Sequence, residues 1–380
     1  MILETLGSTA MTHAPCRLIA VLTASLALIP DLGRAADGPS SGAQRAPATA
    51  GHLAGKARSK ADCAPRKVVV GTTVFGPYGK YPGLVERLGV LSGLVDEMAA
   101  QASKRYAGKG LDLAILPESV VTSSGGPASE RAIPLQGPVQ DTFGALARKH
   151  KTYLLVPLDL AETGPNGTSC ANAAVLFDRK GEVVGIYRKA HPVAYVGSNE
   201  LEGGITPGKD FPVFDCDFGK LGVQICWDLQ FDDGWQALAD KGAEIVAWPT
   251  ASPATALTSA RASRHRYFVA SSTWRNNATI FEPTGMVAAR IEDPARVLVH
   301  EIDLSHAILG WSGFLKNGEA LREKYGDKVG FHYDPREDMG LFWSNDPSTT
   351  VGTMIRSIGG EEIDAQVERN RRLHESAAGK

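Results

Sequence analysis

Between Lys67 and Leu304, short β-branched or apolar runs alternate with stretches of helical period, and two hairpins interrupt the alternation. This pattern constrains the fold more than any other feature of the chain. Val68-Val69-Val70-Gly71 is a buried-strand signal, and Leu111–Leu116 is a second. Between them, Leu88, Leu91, Leu94-Val95 and Met98-Ala99 mark one face of a helix over Arg87–Tyr106, stopped by Gly108 and Gly110. Thr142–His150 predicts a helix and Thr152–Pro157 a strand. Ala173–Phe177 and Glu182–Tyr187 flank Asp178-Arg179-Lys180-Gly181, a hairpin signal. Strands at Lys220–Ile225, Glu244–Trp248 and Val269–Thr273 alternate with helices at Trp235–Lys241 and Leu257–Phe268. A second hairpin pairs Ala278–Phe281 with Val287–Glu292, and Val297–Leu304 is the last clear strand. Inserted hairpins exclude an all-parallel pattern and leave α/β with a mixed sheet or a pair of sheets. No repeat of fixed period appears.

The ends of the chain have a different character. Leu18–Ile29 is a run of twelve mostly apolar residues behind Arg17, closed by Pro30. It is too short to span a bilayer, which takes roughly 20 residues, and it fits a secretory signal peptide over residues 1–36, cut after Ala35. Residues 37–65 are rich in Ala, Gly, Ser, Pro, Lys and Arg, with Leu53 the one large aliphatic side chain. Such a segment buries too little apolar surface to offset its ordering entropy and is expected to be a flexible linker. Residues 305–380 contain Trp311, Phe314, Tyr325, Phe331, Tyr333, Phe342 and Trp343. They are expected to pack on the core or on a partner subunit, ending in an exposed helix over Glu361–Glu375.

Composition narrows the function classes. Lys and Arg total 40 against 42 Asp and Glu, so the basic excess that nucleic acid or anionic lipid demands is missing. Hydrophobic residues at 43% exclude wholesale disorder. Five cysteines exclude a disulfide-dense scaffold; an exported chain with Cys226 left free could form at most one disulfide among Cys63, Cys170 and Cys216. No Gly-x-Gly-x-x-Gly, P-loop, His-Glu-x-x-His, Cys-x-x-Cys or Gly-x-Ser-x-Gly occurs, so no cofactor or metal site is expected.

Three polar residues follow three strands. Glu118 follows Leu111–Leu116, Lys189 follows Glu182–Tyr187, and Cys226 follows Lys220–Ile225. In open α/β sheets, ligands bind beyond the carboxyl ends of strands. A cysteine is nucleophilic as a thiolate, which a nearby ammonium favours. A carboxylate can take the thiol proton and later activate water. A lysine can stabilise the oxyanion of an attacked carbonyl. Each residue alone has a plainer reading: a solvated strand-end glutamate, a wet basic hairpin, a core cysteine.

In order and context the three segments resemble the nitrilase superfamily of carbon–nitrogen hydrolases, from about Val68 to about Leu304. Leu116-Pro117-Glu118 resembles the general-base motif, Tyr187-Arg188-Lys189-Ala190-His191 the lysine motif, and Gly222-Val223-Gln224-Ile225-Cys226-Trp227-Asp228 the nucleophile motif. The resemblance implies a four-layer α-β-β-α sandwich over residues 66–304 that dimerises to extend its layers. It also implies a Glu118–Lys189–Cys226 triad that forms a thioester, with no metal or organic cofactor. A second glutamate is implied between lysine and cysteine: Glu202, with Glu200 as the alternative. Trp227 and His191 are candidates for the oxyanion site or substrate pocket. Phe231-Asp232-Asp233-Gly234 departs from the family's usual Pro-Glu, which bears on the pocket. Cys226-Trp227-Asp228 leans toward amidases and carbamoylases. The expected activity is hydrolysis of a linear amide or N-carbamoyl compound by an exported homo-oligomer acting on a small molecule, without nucleic-acid or, after signal cleavage, membrane partners. The alternatives are a nitrilase, an acyltransferase and an inert interaction protein on the same fold.

Overall fold

The computed structural model describes residues 59–122, 125–165 and 167–379. The export segment and most of the expected linker lie outside the described residues. The chain runs β1 (Lys67–Thr73), α1 (Leu84–Arg105), β2 (Leu113–Ile115), α2 (Ala128–Arg131), α3 (Pro138–His150), β3 (Tyr153–Gly164), β4 (Gly167–Phe177) and β5 (Val183–Arg188). It continues through β6 (Val213–Cys216), β7 (Gly219–Val223), α4 (Asp233–Asp240), β8 (Ile245–Thr250), α5 (Thr255–His265) and β9 (Phe268–Thr273). β10 (Asn277–Phe281), β11 (Val287–Glu292) and β12 (Val297–Asp303) complete the part read as catalytic.

These strands form two six-stranded sheets on one plan, ordered β12-β1-β2-β3-β4-β5 and β11-β10-β9-β8-β7-β6. In each, three parallel strands are flanked by antiparallel ones. Alternation along each strand builds the layers. Val69, Leu154 and Val156 face α1 and α3, where they meet Leu91, Val95, Met98 and Phe143. Val68, Val70, Leu155, Leu221, Val223 and Ile245 point the other way and fill the space between the sheets. Trp235, Leu238 and Ala262 cover the far face of the second sheet. The α-β-β-α sandwich expected from the sequence is thus the architecture observed.

The β3–β4 hairpin is longer than the sequence suggested. The sequence reading ends this strand at Pro157, a residue that forfeits a ladder donor. In β3, however, the backbone groups of alternate residues face β2 only as far as Leu155, whose carbonyl accepts from Leu116, and face Ile133 from Asp159 onward. Pro157 falls in the gap between these two sets of bonds, and the strand continues through it by pairing with β4. Asp159 and Asn172 therefore pair across the extended hairpin.

Beyond Leu304 a third sheet, β13 (His306–Gly310), β14 (Val329–Asp334) and β15 (Met339–Ser344), is ordered β13-β15-β14 and accompanied by α6 (Glu319–Tyr325), α7 (Val351–Arg356) and α8 (Ile363–Ala378). Ile308 and Leu341 enter the core between the large sheets, while Ala307, Leu309 and Phe342 join Met354 and Ile355 in a separate cluster. The end of the expected linker belongs to this cluster. Lys60–Asp62 forms one 3-10 turn, Ala61 is fully buried in it, Ser59 Oγ donates to Glu362 (2.8 Å), and Asp62 pairs with Arg356 (2.8 Å). The polar composition averaged over residues 37–65 hid these few anchors, so the linker reading is corrected for 59–65. Cys63, which falls in the expected flexible linker, caps that turn.

Candidate active site

Glu118, Lys189, Glu202 and Cys226 line one cavity of about 380 Å³. Each of three strands delivers its residue from its C-terminal end: β2 runs out into Glu118, β5 into Lys189 and β7 into Cys226. The Lys189 N–H continues the sheet ladder by donating to the Asn172 carbonyl (2.8 Å). Glu202 arrives on the loop after Lys189, pinned by mutual backbone and side-chain bonds with Val193 (Glu202 N–H to Val193 O, 2.8 Å; Val193 N–H to Glu202 Oε1, 3.0 Å).

Cys226 begins a short 3-10 turn with a φ of 42°, in the left-handed region. Ser119 and Glu202, beside the same cavity, share this conformation (φ 45° each). Such a backbone costs about 1–3 kcal/mol per residue and persists where its surroundings over-determine it. For Cys226 these are the Trp248 indole N–H donating to its carbonyl (3.2 Å) and Asp228, whose carboxylate accepts from Ile225 N–H (2.8 Å).

The Lys189 ammonium is almost wholly buried and donates to Glu118 Oε1 (2.8 Å) and Glu202 Oε1 (2.5 Å). Burial pulls its pKa down, but Glu118, Cys226 and Glu202 outweigh burial, and it lies well above the ordinary lysine value. Cys226 goes the other way. Burial and then the charge of Glu118 push its thiol up to about 12, against smaller pulls from Lys189, the Ala251 N–H and Thr250. Burial and Glu118 thus favour the protonated thiol, beside the Lys189–Glu118 ion pair. Glu118 is further held by Ala251 N–H to Oε2 (3.0 Å) and by the Trp274 indole N–H to its carbonyl (2.7 Å).

Neither His191 nor Trp227 lines this cavity. His191 stacks on Phe231 (ring centroids 4.0 Å apart), and its backbone N–H (2.9 Å) and ring Nδ1 (3.0 Å) both meet Asp228 Oδ1. That hydrogen bond raises its pKa, against burial. The Trp227 side chain is 42% exposed on the surface. Glu200 does not line the cavity either; Glu202 does.

Several lining residues were not singled out in the sequence. Asn172 Nδ2 donates to Glu118 Oε1 (2.9 Å) and Glu202 Oε2 (3.1 Å). Asp159, buried opposite Asn172, accepts from Arg131 (2.8 Å), Thr122 (3.0 Å) and Ser119 (3.2 Å). Burial raises its pKa and those partners pull it back. Arg131 also donates to the carbonyls of Gly126 (2.5 Å) and Glu202 (2.7 Å), tying two cavity loops together. Tyr195 and Trp274 form more of the wall. The available signal was strand parity, because Asn172 shares the inner face of Ala174 and Leu176. Cys63, Cys170, Cys216 and Cys226 are all free thiols. Among the described residues, no group of three or more His, Cys, Asp or Glu side chains is arranged to hold a metal ion.

Residues 91–309, more than half of the chain, match the carbon-nitrogen hydrolase family. The chain belongs to that family. It is 36% identical to citrullinase from Francisella tularensis over 117 residues, 30% of this chain and 39% of that protein. It is 25% identical to the chloroplastic omega-amidase of Arabidopsis thaliana over 236 residues, 54% of this chain and 63% of that one. Both alignments thus span less than two thirds of the relative's length. The fold is also that of Saccharomyces cerevisiae Nit3, a member of branch 10 of the nitrilase superfamily, with a TM-score of 0.53, 19% identity, and coverage of 69% of this chain and 95% of that one. In this chain the two large sheets pack face to face with helices outside.

Proposed function

We propose that the chain hydrolyses the C–N bond of a linear amide or N-carbamoyl compound through a thioester on Cys226. The observation that carries this reading is the meeting of Glu118, Lys189 and Cys226 in one cavity. Cys226 Sγ attacks the carbonyl carbon while its proton passes to Glu118. Both other donors on Glu118 Oε1 are fixed, so Oε2 is the oxygen with capacity to spare. The third N–H of Lys189, left over after its two carboxylates, and a backbone N–H near Trp227 stabilise the oxyanion. As the C–N bond breaks, the proton on Glu118 goes to the leaving nitrogen, which departs as ammonia or amine. Water then gives a proton to Glu118 and its oxygen to the thioester carbon; the C–S bond breaks and Sγ regains the proton, freeing the acid. A partly buried thiol that gives up its proton as it attacks fits a site whose base is a carboxylate paired with an ammonium.

The resemblance to citrullinase and an omega-amidase supports amide and carbamoyl substrates; the chain is also 32% identical over 120 residues to a bifunctional nitrilase/nitrile hydratase of Nicotiana tabacum, so nitriles belong in the same screen. The same reading extends to a homodimer and to export through residues 1–36, which sedimentation and N-terminal sequencing of the secreted protein check. The deciding experiment screens matched amides, N-carbamoyl compounds and nitriles for ammonia or amine release by the wild type and by Cys226→Ser. Release from amides or carbamoyl compounds that vanishes in the variant is the expected result. Full turnover by Cys226→Ser overturns the mechanism, and turnover of nitriles alone overturns the substrate class.

A further inference from the structure

The four polar side chains at the cavity floor close into a ring. Lys189 Nζ bridges Glu118 Oε1 (2.8 Å) and Glu202 Oε1 (2.5 Å), and Asn172 Nδ2 bridges the same two carboxylates from the other side (2.9 Å to Glu118 Oε1, 3.1 Å to Glu202 Oε2). Two acceptors thus alternate with two donors. We propose that Asn172 is a positioning residue of the reaction: by closing this ring it fixes which oxygen of Glu118 faces the chemistry. This rests on the catalytic reading given above.

Charge requires a second donor. Glu118 and Glu202 are two carboxylates around one ammonium, all nearly buried. A neutral amide offers two N–H groups without adding charge, one for each carboxylate. The flipped amide would aim its oxygen at both carboxylates, so the orientation is determined. It has a cost: Asn172 Oδ1 is buried without a hydrogen-bond partner, and an unsatisfied buried acceptor is unfavourable. Asn172 also accepts the Lys189 N–H with its own carbonyl (2.8 Å), so a single residue sets both the lysine's backbone and the carboxylates it serves. With Lys189 and Asn172 occupying Oε1, and Ala251 N–H on one side of Oε2, the remaining position on Oε2 is the one open to a thiol or water proton.

The test uses Asn172→Ala, Asn172→Ser and Asn172→Asp in the full chain, with circular dichroism to identify folded variants. The titratable and charged groups around the ring are Glu118, Glu202, Lys189 and Cys226, with Asp159, Arg131 and Tyr195 behind them. On the substrate found by the screen, Asn172→Ala is expected to lower kcat about ten- to a hundredfold, the range for losing a hydrogen bond to a charged group, with KM changed less than about threefold. The acid limb of its pH–rate profile moves to higher pH, because a donor to the ionised form is gone. Asn172→Asp moves it further, and Asn172→Ser recovers part of the loss. A second arm needs no substrate: iodoacetamide alkylation of Cys226 slows about tenfold at pH 9 in Asn172→Asp, since a third negative charge near the thiol disfavours the thiolate by a unit or so. Folded variants with wild-type kcat, pH profile and alkylation rate overturn the proposal. Failure of all three variants to fold overturns it as well, by assigning Asn172 to the fold. If the wild type turns over none of the screened compounds, the proposed function fails while the alkylation arm still decides the role of Asn172.

Discussion

Cys226 shows how burial, and not only the identity of its neighbours, sets a nucleophile. In sequence terms an ammonium near a cysteine predicts a thiolate. In the folded chain the Lys189 charge is already shared between Glu118 and Glu202, and the thiol sits at about 12. Alkylation of Cys226 should therefore rise about tenfold per pH unit up to pH 10 without a plateau, because only the thiolate reacts. Glu118 is the largest charged contributor to the rise. Its replacement in Glu118→Gln should accelerate alkylation at pH 7–8 by about tenfold or more, one unit of thiol pKa being worth about a factor of ten. A rate plateau near neutral pH in the wild type would refute this account. Glu118, Lys189 and Cys226 were legible because each closes a strand with its own short motif. Asn172 and Asp159 were not, because the strands carrying them were read as stopping at Pro157 and starting at Ala173. Their polar side chains then fell outside the strands, and the ring that Asn172 closes joins Glu118, Lys189 and Glu202 from distant parts of the sequence.

At the level of elements, the lysine loop after β5 and the cysteine turn after β7 are joined by His191 and Asp228. Asp228 accepts from His191 on Oδ1 and from the Tyr187 hydroxyl (2.8 Å) on Oδ2, so three segments meet on one buried carboxylate. His191, read from sequence as a pocket residue, instead holds this joint. Its folded pKa is raised by the bond to Asp228, so the charge contribution to stability is fully present below the unfolded value of about 6.5 and fades as pH rises through the folded value. His306 has the opposite sign: burial holds it down to about 3, so its contribution is present above about 6.5 and is lost as pH falls. The difference between wild type and His191→Gln isolates the first effect. Chemical denaturation from pH 5 to 9 should show the variant's deficit largest at the acid end and shrinking toward the alkaline end. A deficit constant with pH would mean that only the ring stacking on Phe231 matters. The sequence pattern placed most of the sandwich strands and helices, since β-branched runs and helical spacing are local signals. It missed β6, whose four residues include Asp215, and all of β13–β15, where aromatic content announced packing without period.

For the whole molecule, the sequence reading divided a catalytic core ending at Leu304 from an extension that packs on it or on a partner subunit. The side chains do not respect that border. Ile308 and Leu341 fill the same core as Val68, Leu221 and Phe268, and Ala61 from before β1 closes the outer cluster formed by α6, α7 and the third sheet. Removing residues 305–380 would uncover both. Each large aliphatic side chain lost from a core costs about 2–5 kcal/mol, against a total stability of about 5–15 kcal/mol for a typical domain. A chain ending at Leu304 should thus be insoluble or unfolded, although every strand of the two large sheets remains. α8 is a different case. None of its residues is buried, its surface is laced with exposed pairs such as Arg371–Glu368, and exposed pairs contribute little. Its first residue, Ile363, packs against the inter-sheet core, and Glu362 before it receives Ser59. A chain ending at Ile363 keeps both contacts and should melt within a few degrees of the full chain, since a change of about 1 kcal/mol moves the midpoint of a larger domain by about 2–4 °C. Thermal melts of the two truncations followed by circular dichroism distinguish the cases. Cooperative folding of the chain ending at Leu304, near the full-length midpoint, would show that the third sheet is an attachment and not part of the core.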